Sequence, residues 1–359
     1  MNYPGCPRAT AAARVCEIGP MTRFRHRPPG SNWGDFGPDD QRGRMNLLTP
    51  QRRLAAVREV QEGLVFSLSL PLDYPGGPGL WETRHPPRLR ATHFSDGRSA
   101  YPFRMSGFAP GATDVVCDDE VTLSLQYSTQ WDALAHCGSE FDADGDGTAE
   151  TVFYNGYRAG EDIAAPQGEG PPRARALGIE NLARAGVQGR GVLVDLAGEY
   201  GRTPARVGYE ALMRLMDAQR VSVEPGDFLC LYTGFGDLVL GMGGAPDQRV
   251  LHTSCAGLDG ADERLQRFIA ESGLVALCAD NAAVEATGHM NARSGTRRAL
   301  LPLHELCLFK LGVHLAELWY FGELAPWLAA RGRNRFLLTA PPLDLPGAVG
   351  SPVTPLATV

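Results

Sequence analysis

An α/β fold with parallel or mixed strands is what the sequence predicts, and three stretches predict it: "GIENLARAGVQGRGVLVDL", "TPARVGYEALMRLMDAQRVSVEPGDFLCLYTG" and "ADERLQRFIAESGLVALCADN". Each sets a helical segment ahead of a short, continuous apolar run. A run without alternation reads as a strand buried on both faces. Helix followed by buried strand, several times over, is how α/β sheets are assembled. With 359 residues, 43% of them hydrophobic, the chain can bury a large core. It carries no internal repeat and no low-complexity linker, so one catalytic-type domain over 29–359 is expected, preceded by a loose arm over 1–28.

The arm is rich in Arg and Pro and lacks the apolar stretch of a secretory signal, and Met21 is a candidate for the true start. In "TPQRRLAAVREVQEG", Thr49 can cap a helix and Pro50 suits its first turn; Leu54, Val57 and Val60 share a face, and Gly63 can end it. "LVFSLSLPL" alternates as a strand does. From Pro75 to Gly111 the chain is rich in Pro, Gly and Arg without a sustained period, which predicts long loops forming a rim or lid. Further on, a short helix should end near Gly186 before the strand "GVLVDL". A second helix should run from Pro204, turn at Pro225-Gly226 and lead into "DFLCLY". "RFLLT" is a last strand, followed by Pro/Gly turns.

A formal charge of -7 argues against binding a phosphate backbone, so no nucleic acid partner is expected. No stretch approaches the ~20 consecutive apolar residues that a membrane-spanning helix needs. The eight cysteines are scattered without a Cys-x-x-Cys pair, and this predicts reduced thiols and cytoplasmic residence.

Several motifs are set aside. "DADGDGTAE" aligns Asp142, Asp144, Asp146 and Gly147 with the opening of a calcium loop, but Phe153 stands where a bidentate glutamate is required, so it reads as a surface turn. The glycines of "GVQGRGVLVDL" follow a helix instead of opening one, so they are no dinucleotide fingerprint. Asp280 and Glu285 occupy a strand-end position where α/β sites gather, with turn and helix capping the preferred reading.

The chemistry-bearing stretch is "SLQYSTQWDALAHCG". On a helix starting near Thr129, Asp132 and His136 would face the same way, either to hold one cation or to anchor the helix. Gln126 and Gln130 would lead into it as neutral oxygen donors. Far downstream, His304 and Glu317 flank an apolar stretch; brought to Asp132 and His136, they would give a mixed N/O set suited to zinc or manganese. Each also has a plainer reading, His304 as a helix-start residue and Glu317 as a solvated or ion-paired one.

From about Asn32 onward the chain resembles the putative cyclase superfamily, which includes bacterial kynurenine formamidase and isatin hydrolase. The resemblance rests on "SNWGDFGPDDQRGRMNLLTP", "STQWDALAH", "FYNGY", "GVQGRGVLVDL", "PGDFLCLYTG", "ALCADNAAVEA", "LPLHEL" with the following "AEL", and "PLDLPGAVGSP", in the family's order. It follows the larger-protein branch, whose members carry Thr-Gln-Trp-Asp here. The other branch has His-x-Gly-Thr-His-x-Asp-x-x-x-His, whose first two histidines fall on Gln126 and Gln130 and whose aspartate and last histidine fall on Asp132 and His136. A downstream histidine and glutamate fall on His304 and Glu317.

The resemblance implies a swivelling β/β/α fold, a mixed sheet or barrel-like core with flanking helices, and a homodimer or higher homo-oligomer. One divalent ion, manganese, zinc or magnesium, is expected at Asp132, His136, His304 and Glu317, with metal-free chemistry as the open alternative. His136 or Glu317 would shuttle protons, and Gln126, Gln130 and Thr129 would orient the developing oxyanion. Trp131 and Tyr154 are candidate apolar walls and His289 a candidate substrate contact, each with a bland reading as core or exposed loop. The expected activity is opening or closing a lactone, cyclic amide or related ring in a small molecule, with natural-product biosynthesis as a candidate setting. A metal-independent cyclase or dehydratase and a non-catalytic binding protein are the rivals.

Overall fold

The computed structural model describes residues 23–167, 170–287 and 298–359. Its centre is a nine-stranded mixed sheet. In chain order the strands are β1 Val65–Ser67, β2 Gln130–Asp132, β3 Gln188–Asp195, β4 Phe228–Tyr232, β5 Ala276–Ala279, β6 His314–Glu317, β7 Arg335–Thr339, β8 Gly350–Pro352 and β9 Leu356–Thr358. Across the sheet they run β1-β9-β7-β3-β4-β5-β6-β2-β8. The middle four, β3 to β6, are parallel, and the flanking pairs are antiparallel. This curled, half-barrel sheet with flanking helices is the expected α/β class.

The continuous apolar runs are continuous because both faces of the sheet are covered. Side chains alternate along a strand, so Val192, Val194, Leu229, Leu231, Leu277 and Leu315 enter one core. Leu193, Phe228, Cys230, Cys278 and Ala316 enter the other. The helices Tyr209–Ala218 and Glu263–Ser272 close the first face through Leu212, Leu215, Leu265 and Ile269. The helices Glu180–Ala185 and Leu324–Ala330 close the second through Leu182 and Leu328.

Several boundaries differ from expectation. The helix capped by Thr49 stops at Val57, before Gly63. No helix starts at Pro204: Ala205–Val207 pairs with Ala256–Leu258 as a short parallel ladder, and the helix begins at Tyr209, whose N–H is held by the Asp262 carboxylate. The Pro75 to Gly111 stretch contains two of the strands of small antiparallel ladders and an aromatic knot of Phe94, Phe103 and Phe108 around Arg98. The end of the chain supplies β8 and β9 where only turns were expected.

The largest correction concerns the segment after Thr129: Gln130–Asp132 forms β2, not a helix. Every residue from Tyr127 to Ala135 is buried, and the segment lies between β6 and β8 with main-chain partners on both sides. Pairing on two flanks satisfies backbone groups that a helix would have satisfied internally.

One close approach holds the segment 40–47 against the chain leading into β6. Gly43 and Gly312 both have positive φ, and a Cβ on Gly43 would come within 2.0 Å of the Gly312 carbonyl oxygen. Arg44, just beyond, donates its amide to that same carbonyl and its guanidinium to the carbonyls of Ile269 and Ala270 at the end of a helix. Gly43→Ala should therefore destabilise the fold by about 2 kcal/mol or more, read as a lower urea midpoint at unchanged slope.

Candidate active site and metal centre

The site lies on the sheet face that carries the first core, at the β6–β2 end. Glu317 pairs across the strands with Gln130, and Leu315 with Asp132, so Gln130, Asp132 and Glu317 point to the same side. His304 arrives from above, at the start of a helix that opens with Pro302 and continues as a π-helical stretch, Glu305–Leu311. Ligand atoms of Asp132, His304 and Glu317 all lie within 4.8 Å of one another, and all three residues are buried.

Each side chain is held from a different direction. The Gln130 amide donates to Glu317 at 2.9 Å and, at 3.4 Å, to Asp132. His304 places Nε2 3.2 Å from Glu317 and Nδ1 2.9 Å from Glu285. Glu285 also accepts the backbone N–H groups of Leu303 and His304, so one buried carboxylate caps the helix start and fixes the ring. With Nδ1 directed at Glu285, Nε2 faces the site, the arrangement in which a second carboxylate orients a metal-binding imidazole. Behind β2, His314 Nδ1 meets the Asp132 main-chain oxygen at 3.0 Å.

Electrostatics follow from this crowding. Burial pushes Glu317 up to about 7, the Asp132 charge adds to the effect, and His304 opposes it. Burial also works against a charged His304, but contacts with Glu285 and Glu317 outweigh it and push the imidazole up to about 10. His136 is lowered, by burial first and by the charges of His304 and Arg84, against the pull of Asp132. Cys137 is pushed up to about 12 by burial and nearby carboxylates, so no thiolate nucleophile is on offer.

The residues fit a cation. Glu317 Oε1 faces His304 Nε2 at 3.2 Å, while among the described residues Gln130 Oε1 and Asp132 Oδ2 are buried acceptors without a hydrogen-bond donor. A buried oxygen left so costs free energy that a bound positive charge removes. Two carboxylates, an imidazole and an amide oxygen form a mixed N/O set of the kind divalent transition ions take.

The sequence expectations sort as follows. Asp132, His304 and Glu317 come together. His136 sits on a turn after β2, with Nε2 3.9 Å from Asp132 and its ring 6.5 Å from that of His304, outside the three-residue cluster. Gln126 lies at the edge, its side chain over Gly350, where a Cβ would collide with the amide; Gly350 is the cross-strand partner of Asp132. Thr129 is no oxyanion residue: its hydroxyl donates to the Leu318 carbonyl and accepts from Leu70 N–H. Trp131 is not a substrate wall, because strand alternation turns it to the opposite face, where it packs on Trp319 and donates to the Ala340 carbonyl. Tyr154 is likewise core, bonded to Asp40 and packed on Gly312. His289 lies outside the described residues. Glu285 was passed over as a cap; it is one, and it also steers His304. Asp280 caps as expected, taking the Thr233, Gly234 and Gly236 N–H groups. The Asp142 loop is an exposed turn folded around the Asp142 carboxylate.

Two outcomes follow. Both Glu317 and His304 are held above their ordinary values, so each adds stability that is complete below its unfolded pKa and is lost as pH rises through the folded one. Chelated protein should lose urea resistance from pH 4.5 to about 7 through Glu317 and from 6.5 to about 10 through His304; Glu317→Gln should flatten the first interval. Glu285→Gln should weaken manganese binding by about 10- to 100-fold, measured by metal titration of the chelated protein.

Residues 66–286, more than half of the chain, match the family model described as "Putative cyclase". A solved structure described as a novel cyclase is 33% identical, with 92% of this chain and 99% of that one covered and a TM-score of 0.71. Isatin hydrolase A from Ralstonia solanacearum shares the fold at 14% identity, covering 86% and 97% of the two chains, with a TM-score of 0.54. Isatin hydrolase A from Labrenzia aggregata, bound to benzyl benzoate, does so at 14% identity, 87% and 99% coverage and a TM-score of 0.53. No curated protein matches the chain. By family match and by likeness to the novel cyclase, this chain is an enzyme of the putative cyclase family.

Proposed function

We propose that the protein is a hydrolase or cyclase working with a single divalent ion, opening or closing a lactone or cyclic amide ring in a small molecule. The observation that carries the reading is the convergence of Asp132, Glu317 and His304 within 4.8 Å, with the buried oxygens Gln130 Oε1 and Asp132 Oδ2 lacking a donor. Asp132, His304 and Glu317 would hold the ion, and one imidazole among carboxylates favours manganese or zinc over magnesium. A bound ion supplies Lewis acidity toward a carbonyl oxygen and acidifies water.

Ring opening adds water: its oxygen bonds to the carbonyl carbon, the bond from that carbon to the ring oxygen or nitrogen breaks, the ring heteroatom takes one proton, and one leaves with the new acid. Closure is the reverse. His136 is the proton carrier, because it is lowered toward the neutral form at pH 7, retains 22% of its side-chain surface and adjoins Asp132 without a hydrogen bond that would occupy it. Gln130 keeps the two carboxylates apart and oriented through its amide N–H groups. Gln126, whose amide lies over Gly350 beside Asp132, can donate to a ligand oxygen.

Metal analysis of protein purified without chelator should find about one ion per chain in the wild type and none in Asp132→Ala. Screening lactones and cyclic amides for ring opening, and their open-chain acids for closure, should reveal activity that chelation abolishes and manganese or zinc restores. His136→Ala should keep the metal and lower kcat by about 10²- to 10⁴-fold. Full activity in metal-free protein would overturn the reading.

A further inference from the structure

The stretch Pro75 to Gly111 sends one cation to the site. Arg84 donates through its guanidinium to the Gln126 carbonyl at 2.9 Å, and its guanidinium carbon lies 5.9 Å from the Trp81 ring centroid. Gln126 in turn lays its side chain over Gly350, the strand neighbour of Asp132, so the guanidinium is tied to the rim of the metal centre through a single residue. Its charge is felt inside: it acts on both His136 and Glu317. Among the described residues, twelve other arginines form ion pairs with carboxylates, yet Arg84 has no carboxylate partner. Among the described residues its guanidinium bonds a single carbonyl, which leaves donors of the five-N–H fork for a carboxylate.

We propose that Arg84 is the residue that recognises an anionic group of the ligand, and that the form the site binds best is an open-chain carboxylic acid. The inference rests on the ring-opening or ring-closing reading above, because in such a pair of compounds the ring is neutral at its carbonyl and the opened form carries the carboxylate. Arg84 therefore distinguishes the two partners of the reaction by charge. Held by a main-chain oxygen instead of an acid, it keeps its full charge for the ligand. Arg84 lies in a loop outside the strands that carry Asp132 and Glu317, so it can meet a ligand group without being one of the residues that would hold the ion.

Equilibrium binding of benzoate and of its neutral isostere benzamide to the manganese-loaded protein tests this. Wild type should prefer benzoate, and Arg84→Met should shrink the benzoate-to-benzamide ratio by about tenfold or more, the scale of one charge-assisted hydrogen bond. Arg84→Lys should restore part of it. Any attraction of the carboxylate to the ion is common to the variants and cancels in that comparison. An unchanged ratio in Arg84→Met, or no benzoate preference in wild type, overturns the proposal. Metal content measured on the same samples separates the two readings: retained metal with an unaltered ratio sinks the role of Arg84 alone, whereas absent metal sinks the reading beneath it.

Discussion

Two carboxylates, Asp132 and Glu317, are buried on adjacent strands with their side chains on one face, and much of the surrounding structure exists to make that tolerable. Like charges so placed disfavour each other's ionisation, and Glu285 brings a third acid to the far side of His304. Three acids surround one imidazole, whose single positive charge cannot balance them. A divalent ion held there would offset the excess and let the imidazole give up its own proton. The same residues that would be unfavourable as a bare cluster thus become a coherent ligand set.

The strand period places them there. Along β2, Gln130 and Asp132 face the first core while Trp131 faces the second; on β6, Glu317 joins the former and Ala316 the latter. A slip of one residue would exchange Asp132 for Trp131 and empty the site. Thr129 guards the register, because its hydroxyl is bonded at once to the β6 exit at Leu318 and to Leu70. Trp131, wedged against Trp319 and Phe228, does the same from the other face. Residues that resemble substrate contacts in the sequence are the ones that lock the catalytic strand.

That locking explains how much could be read beforehand. Helix-then-strand repeats announced β3, β4 and β5, since their apolar runs report burial on both faces directly. The Asp132–His136 spacing suggested a helix because four residues make one turn, but a strand with a turn after it returns the chain to nearly the same point. Pairing partners decide between the two, and those of β2 lie about 180 and 220 residues downstream in β6 and β8. His304 and Glu317 stand out in the sequence only as polar residues flanking an apolar stretch, and the family resemblance is what aligns them with Asp132, since no local pattern links them. Glu285 was visible only as a strand-end acid. What it does depends on His304 meeting it across 19 residues, some of them outside the described chain.

Gln130 shows how a single side chain would limit such a site to one ion. An imidazole at this position would present one ring nitrogen to a cation and could help to hold a second ion. The amide instead turns its N–H groups to Glu317 and Asp132, using carboxylate lone pairs that a second ion would need, and leaves one neutral oxygen free. An amide oxygen carries no charge and binds zinc weakly beside imidazole or thiolate. The donor side of Gln130 thereby removes ligand capacity while the acceptor side adds little, which leaves Asp132, His304 and Glu317 as the charged and imidazole ligands that converge. Specificity then has to come from outside the sheet, from rim segments whose side chains can vary without disturbing strands that are packed on both faces.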